Sequence, residues 1–335
     1  MANVPTTVGS SGRRVAVPER FRNVGQTYGA LIALLLLLLY NVFFTTNFLT
    51  AQTMNVNLTQ VATIVIVATG MTLVIATGGI DVSVGSLMAI AGALAPIIFL
   101  SQTPPLNNPV VGVTLAFIVP VLVAGAFGLF NGWLITYFKI QPIIATLVLF
   151  IAGRGIAQVM TNGNLQTFRN ESFQYIGLGR PLGIPFQVIL MLIIVAIVAW
   201  VMRATMFGRY VLAVGGNEDA ARLSGVPVSA IKRAVYTISG LLSGIAGLIV
   251  IAINSSSDAN LVGQNMELDA IAAVAVGGTP FSGGRATVVG TRVGALIMQL
   301  IRFTLLAHGI PDAAALVVKA VIILVAVYVQ RPRQS

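Results

Sequence analysis

Apolar residues run along this chain in blocks of about twenty, separated by short polar stretches. A block of that length is what an α-helix needs to cross a hydrocarbon core of ~30 Å, whereas barrel strands alternate over roughly 10 residues. The blocks predict about ten helical spans: Tyr28 to Thr46, Leu58 to Thr77, Val82 to Leu100, Val110 to Phe138, Pro142 to Met160, Phe186 to Met202, Ala234 to Ile253, Leu268 to Val276, Ala286 to Leu306 and Asp312 to Val329. The block from Leu268 is too short to cross unless it is extended into its neighbours. The expectation is an all-α polytopic membrane protein, with some of its helices broken.

The polar stretches fix an expected orientation. Residues 1–27 carry Arg13, Arg14, Arg20 and Arg22 against Glu19 and are rich in Ser, Gly and Thr, which reads as a disordered cytoplasmic tail. With the N-terminus inside and ten crossings, Lys139, the loop 203–233, Arg285 and the short tail 331–335 with Arg331 and Arg333 all fall inside, and Asp258 and Glu267 fall outside. The positive-inside rule asks for this distribution, and an odd number of spans would place one basic terminus outside. Both ends are therefore expected in the cytoplasm, flanking a transmembrane domain over 28–330.

Composition agrees. Of 335 residues, 57% are hydrophobic and 8% are charged, against roughly 25% charged in soluble domains. The net charge of +10 sits at span ends, so it does not argue for nucleic acid. The chain has no cysteine and one histidine, His308, which excludes disulfides and thiolate metal sites and leaves little for a histidine relay. The basic start imitates a signal peptide, but none is expected, because its apolar run is long for one and no small-residue cleavage site stands out after Tyr40.

The most polar interior stretch is the loop 203–233. Arg203, Arg209, Arg222, Lys232 and Arg233 face only Glu218 and Asp219. Asn217 suits a helix N-cap, Glu218 and Asp219 suit a first turn, and Gly225 suits the position after a helix end. A short capped helix between two spans reads either as a docking element or as a solvated connector.

Two broken places share a pattern. TGGIDVSVGS (Thr77 to Ser86) and VGGTPFSGGR (Val276 to Arg285) each follow an apolar block, open on Gly-Gly and lead into another block. Paired interruptions of this kind often mark where a solute passes, and they suggest a weak internal repeat. Asp81 is an ionisable group within an apolar pair of blocks, a sign of function; it also precedes Val82-Ser83-Val84 and suits a helix cap. Asn131 beside Trp133, and Arg154 with Gln158 on one helix face, either line a path for a hydroxylated solute or hydrogen-bond between helices. Gly240, Gly244 and Gly247 read as close helix packing. No GxxxxGK[ST], HExxH, GxSxG or CxxC pattern is present, so nothing marks the chain as an ATPase or an enzyme.

Four stretches together resemble the permease subunit of bacterial ATP-driven sugar importers of the ribose type: GMTLVIATGGIDVSVGSLMAIAG (Gly70 to Gly92), KIQPIIATL with AGRGIAQ (Lys139 to Gln158), AVGGNEDAARLSGV (Ala213 to Val226) and ELDAIAAVAVGGTPFSGGR (Glu267 to Arg285). The resemblance implies a multi-pass protein of the bacterial inner membrane. It implies cytosolic ATPase subunits that bind the ATP, so that this chain holds no cofactor, and a periplasmic binding protein that delivers a ribose- or galactofuranose-like monosaccharide. It also implies a second permease subunit, the same chain or a related one. It makes 217–225 a coupling helix, with Asn217 as its cap, Glu218, Asp219 and Arg222 as its polar contacts with the ATPase, and Gly225 ending it. The competing reading is a stand-alone proton-coupled carrier with Asp81 as its proton site. The unpaired acid and the coupling-like loop argue against that carrier.

Overall fold

A computed structural model describes residues 19–330, and the segments 1–18 and 331–335 lie outside the described residues. Its helices in chain order are α1 (Glu19–Phe44), α2 (Ala51–Ala76), α3 (Val84–Phe99), α4 (Pro109–Tyr137), α5 (Pro142–Thr161), α6 (Glu171–Leu178), α7 (Phe186–Ala204), α8 (Met206–Gly216), α9 (Glu218–Leu223), α10 (Val228–Asn254), α11 (Met266–Val276), α12 (Val288–Ala307) and α13 (Asp312–Gln330). A two-residue antiparallel pair, β1 (Gln166–Thr167) with β2 (Ser256–Ser257), ties the connection after α5 to the one after α10.

Among the described residues, six helices (α2, α4, α5, α7, α10 and α12) are long and apolar enough to cross a membrane, and shorter apolar stretches lie in α1, α3 and α13. The chain is a multi-pass membrane protein. Its core is α2, whose most apolar stretch is 83% buried, against 28% for α4 and α5. Helices α7, α10, α11 and α12 all pack on α2. The outer helices instead expose large apolar side chains such as Leu122, Leu147 and Ile197, the surface that lipid covers in such proteins.

Local chemistry explains where the elements start. Thr50 accepts a hydrogen bond from Thr53 N and begins α2 at Ala51, earlier than the apolar block at Leu58. Asn108 accepts from Val110 N and Val111 N, and Pro109 opens α4 with the φ a first turn needs. Helix α10 begins right after Pro227 and so takes in the polar residues before Ala234. Helix α1 begins at Glu19, so residues 19–27, expected as tail, are helical. Helix α8 was not expected, because Gly208, Gly215 and Gly216 weaken helix propensity.

Two of the apolar helices packed into the bundle, α3 and α11, are short. Sixteen residues of α3 and eleven of α11 rise about 24 and 16 Å, less than a hydrocarbon core. Helix α3 starts alongside the middle of α10: Asp81 meets Ser239, and Gly247 lies against Met88. The turn carrying Gly263 and Glu267 rests on Gly85, so the connection before α11 folds inward to meet the first turn of α3.

Candidate functional site

The two broken places end their helices by the same device. After α2, Gly78 N donates to Ile75 O and Gly79 N to Val74 O; after α11, Gly278 N donates to Ala275 O and Thr279 N to Val274 O. Both are Schellman ends, and the residue that must turn left-handed is Gly78 at φ +78° and Gly278 at φ +87°. The breaks also meet each other. Gly284 N donates to Ala76 O at 3.0 Å, and Gly283 and Gly284 lie against Gly78, Gly215 and Gly216. Three Gly-Gly pairs therefore close one junction, which joins both breaks to the last turn of α8. The breaks pack against backbone here, and the pocket between Gly79, Lys232 and Tyr236 is about 10 Å³, water-sized and far too small for a sugar.

Asp81 is fully buried at the first break. Its Oδ1 accepts from Ser83 N at 3.0 Å and Ser83 Oγ at 2.6 Å, and its Oδ2 accepts from Ser239 Oγ of α10 at 2.8 Å. Asn131 Nδ2 of α4 donates to Ser83 Oγ at 2.9 Å. Thr146 of α5 accepts from Val82 N and donates to Ile80 O. The carboxylate thus serves the start of α3, although Ser83 occupies the cap position, and it also ties the break to α10. The capping role expected from sequence and an interhelical bond meet in this one group.

The other expected path residues fare differently. Arg154 Nη1 donates to Ala259 O at 2.8 Å and to Val262 O at 2.6 Å, and Gln158 Nε2 donates to Asn260 Oδ1 at 2.6 Å. They do share a face of α5, as their spacing requires, and that face holds the turn 259–262. Asn131 is buried, but Trp133 does not stand with it. Two residues apart on a helix is near opposite faces, and Trp133 is exposed and stacks on Tyr137. The pairing of Asn131 with Trp133 is therefore corrected.

The expected capped helix is α9. Asn217 Oδ1 accepts from Ala220 N at 2.9 Å. Gly225 sits at φ +81° and closes a third Schellman end, donating to Arg222 O while Val226 N donates to Ala221 O. Glu218 pairs with Arg222 at 2.9 Å within α9 and with Lys232 of α10 at 2.5 Å. Desolvation pushes the Glu218 carboxyl up, but its hydrogen bonds and charge contacts with Lys232 and Arg222 outweigh that and hold it below its ordinary value of 4.5. Asp219 and Arg222 are exposed, and Leu223 is 90% exposed, so α9 offers charged groups around an apolar tip.

Sequence reasoning missed Ser83, Ser239 and Tyr236. Ser239 lies in a small-residue stretch read as packing, and nothing local marks it as Asp81's partner. It also missed the buried pair of Lys319 in α13 with Asp269 in α11, at 2.6 Å. A lysine inside an apolar block was a visible signal.

Residues 53–327 match the family described as the branched-chain amino acid transport system permease component. The chain is 41% identical to the ribose import permease protein of Escherichia coli strain K12 over 313 residues, 91% of this chain and 94% of that one. It is 40% identical to the galactofuranose transporter permease protein of the same strain, over 82% of this chain and 79% of that one. With the fructose import permease protein of Bifidobacterium longum strain NCC 2705 it shares 39%, over 82% of this chain and 76% of that one. No solved structure matches it. A multi-pass helical bundle, with paired glycine breaks and a capped helix between its spans, matches this profile from Thr53 nearly to its end; the chain belongs to the family of the permease component of branched-chain amino acid transport systems.

Proposed function

We propose that this chain is the membrane-spanning permease subunit of an ATP-driven importer that passes a monosaccharide, ribose- or galactofuranose-like, from a periplasmic binding protein into the cell. The observation that carries the substrate class is the likeness to ribose and galactofuranose permeases over most of each chain, which outweighs the amino acid in the family's description. In this reading α1, α2, α3, α4, α5, α7, α10, α11, α12 and α13 are ten spans of a bacterial inner-membrane protein with both ends in the cytoplasm. Helices α8 and α9 lie on the inside, and the β1–β2 connections with α6 lie on the outside. Helix α9 is the coupling helix that docks on a cytosolic ATPase. Its exposed Asp219, Arg222 and Leu223 suit such a contact. ATP is bound by that partner and not by this chain, and a second permease subunit completes the path.

The test is a pull-down of the tagged chain after co-expression with its chromosomal neighbours, followed by reconstitution into vesicles. The expected result is a co-purifying ATPase and uptake of labelled ribose that needs ATP and the binding protein, with labelled leucine as the competing probe. Leucine uptake in place of ribose overturns the substrate class. A chain that comes down alone and moves solute on a proton gradient, with the transport lost in Asp81→Asn, overturns the importer and leaves the carrier.

A further inference from the structure

We propose that Ser239 and Asp81 are positioning residues for transport: one face of α10 links the coupling helix to the break before α3, and the Asp81–Ser239 contact passes a displacement of α9 to the first turn of α3. The inference rests on the importer reading. Lys232, Tyr236 and Ser239 fall at i, i+4 and i+7, within about 30° of one line along the helix, and span about 10 Å of rise. Lys232 Nζ holds Glu218 of α9 at 2.5 Å. Ser239 Oγ holds Asp81 at 2.8 Å. Between them Tyr236, buried, bears on Gly79, where an added Cβ would strike its hydroxyl.

The stretch between these contacts is stiff. Residues 228–239 contain neither Gly nor Pro, so nothing there kinks or breaks the hydrogen-bond ladder. Residues 77–83 are non-helical and turn at Gly78. Asp81 is fixed to Ser83 on one oxygen and to α10 on the other, so the carboxylate is a polar link from α10 to the first turn of α3, beside the apolar packing of Gly247 on Met88 further along. The break has other tethers, the backbone junction of glycines with α8 and the bonds of Thr146 and Asn131 to residues 80–83, and none of these bonds involves α10.

The test uses the reconstituted complex and reads sugar imported per ATP hydrolysed. Ser239→Ala is expected to lower that ratio roughly tenfold, the factor for one lost charge-assisted hydrogen bond. Lys232→Met is expected to lower it similarly, and the double variant to fall no further than either single one, because both cut the same link. Ser243→Ala is the control: its hydroxyl bonds back to Ser239 O and does not touch Asp81, so its ratio stays at the wild-type value. Equal falls in uptake and hydrolysis, leaving the ratio intact in Ser239→Ala, overturn the proposal; so do effects that multiply in the double variant. Failure of the wild-type complex to couple uptake to ATP is the separate signature of a wrong functional reading. If Ser239→Ala fails to assemble, Glu218→Gln with Lys232→Met probes the near end of the same face, and an unchanged ratio in that pair refutes the link.

Discussion

Gly215 and Gly216 are adjacent residues of one helix, yet alanine at the two positions is expected to act oppositely. A Cβ at Gly215 would collide with the carbonyl of Ala76 and lie 2.5 Å from Gly284 N, while Gly216 has open space around it. Ala76 and Gly284 are backbone atoms bonded to each other at 3.0 Å, so neither yields without opening the junction. Overpacking costs about 1–3 kcal/mol, and loss of the Gly284–Ala76 bond adds about 1 kcal/mol. Alanine gains about 1 kcal/mol of helix propensity at either site, so that gain cancels in the comparison. Gly215→Ala should therefore be less stable than Gly216→Ala by about 2–4 kcal/mol, and Gly216→Ala should equal or exceed the wild type. Thermal unfolding of the detergent-solubilised chain, followed by loss of the monodisperse size-exclusion peak, reads the difference as a shift of several degrees. Equal midpoints for the two variants refute the close junction of the three Gly-Gly pairs.

Gly225→Pro and Glu218→Arg should each abolish uptake while leaving the chain in the membrane at wild-type level, measured by transport beside a membrane-fraction blot; normal uptake in both sinks the coupling role of α9. Glu218 is 40% exposed in its side chain, so its pairing stabilises by only about 1 kcal/mol or less after screening. That contribution is complete above the ordinary carboxylate value and is lost as pH falls through the depressed one, so ATPase binding should be flat from pH 5 to pH 8 in a pull-down series. Arg154→Met frees two short carbonyl contacts, and hydrogen exchange should quicken first in the turn 259–262, by roughly tenfold or more, before any change in α2.

Much of this was legible in the chain. Blocks of apolar residues located the helices because burial in lipid demands an unbroken apolar run, and Asn217 and Gly225 marked both ends of α9 because capping is local chemistry. The starts of α2 and α10 were misplaced because Thr50 and Pro227 set helix ends irrespective of hydropathy. Asp81 stood out as an acid in an apolar pair of spans. Its partner Ser239, 158 residues away, did not, since a serine in a small-residue stripe looks the same whether it packs or bonds. Trp133 is near Asn131 in sequence, but a helix turns residues two apart to nearly opposite faces.

The matched helix ends at Gly78 and Gly278 give the protein a built-in calibrator. Both turns are closed by the same pair of backbone hydrogen bonds around a left-handed glycine, so their intrinsic opening costs are alike. Any difference in protection between the Gly79 and Thr279 amides, after division by the intrinsic exchange rates of Gly and Thr, reports the surroundings of each turn and not the turn itself. One of them has Asp81 behind it and Tyr236 against it, the other Thr287 bonded to Thr279, so a single exchange experiment on the unmodified protein compares these two surroundings on a common turn.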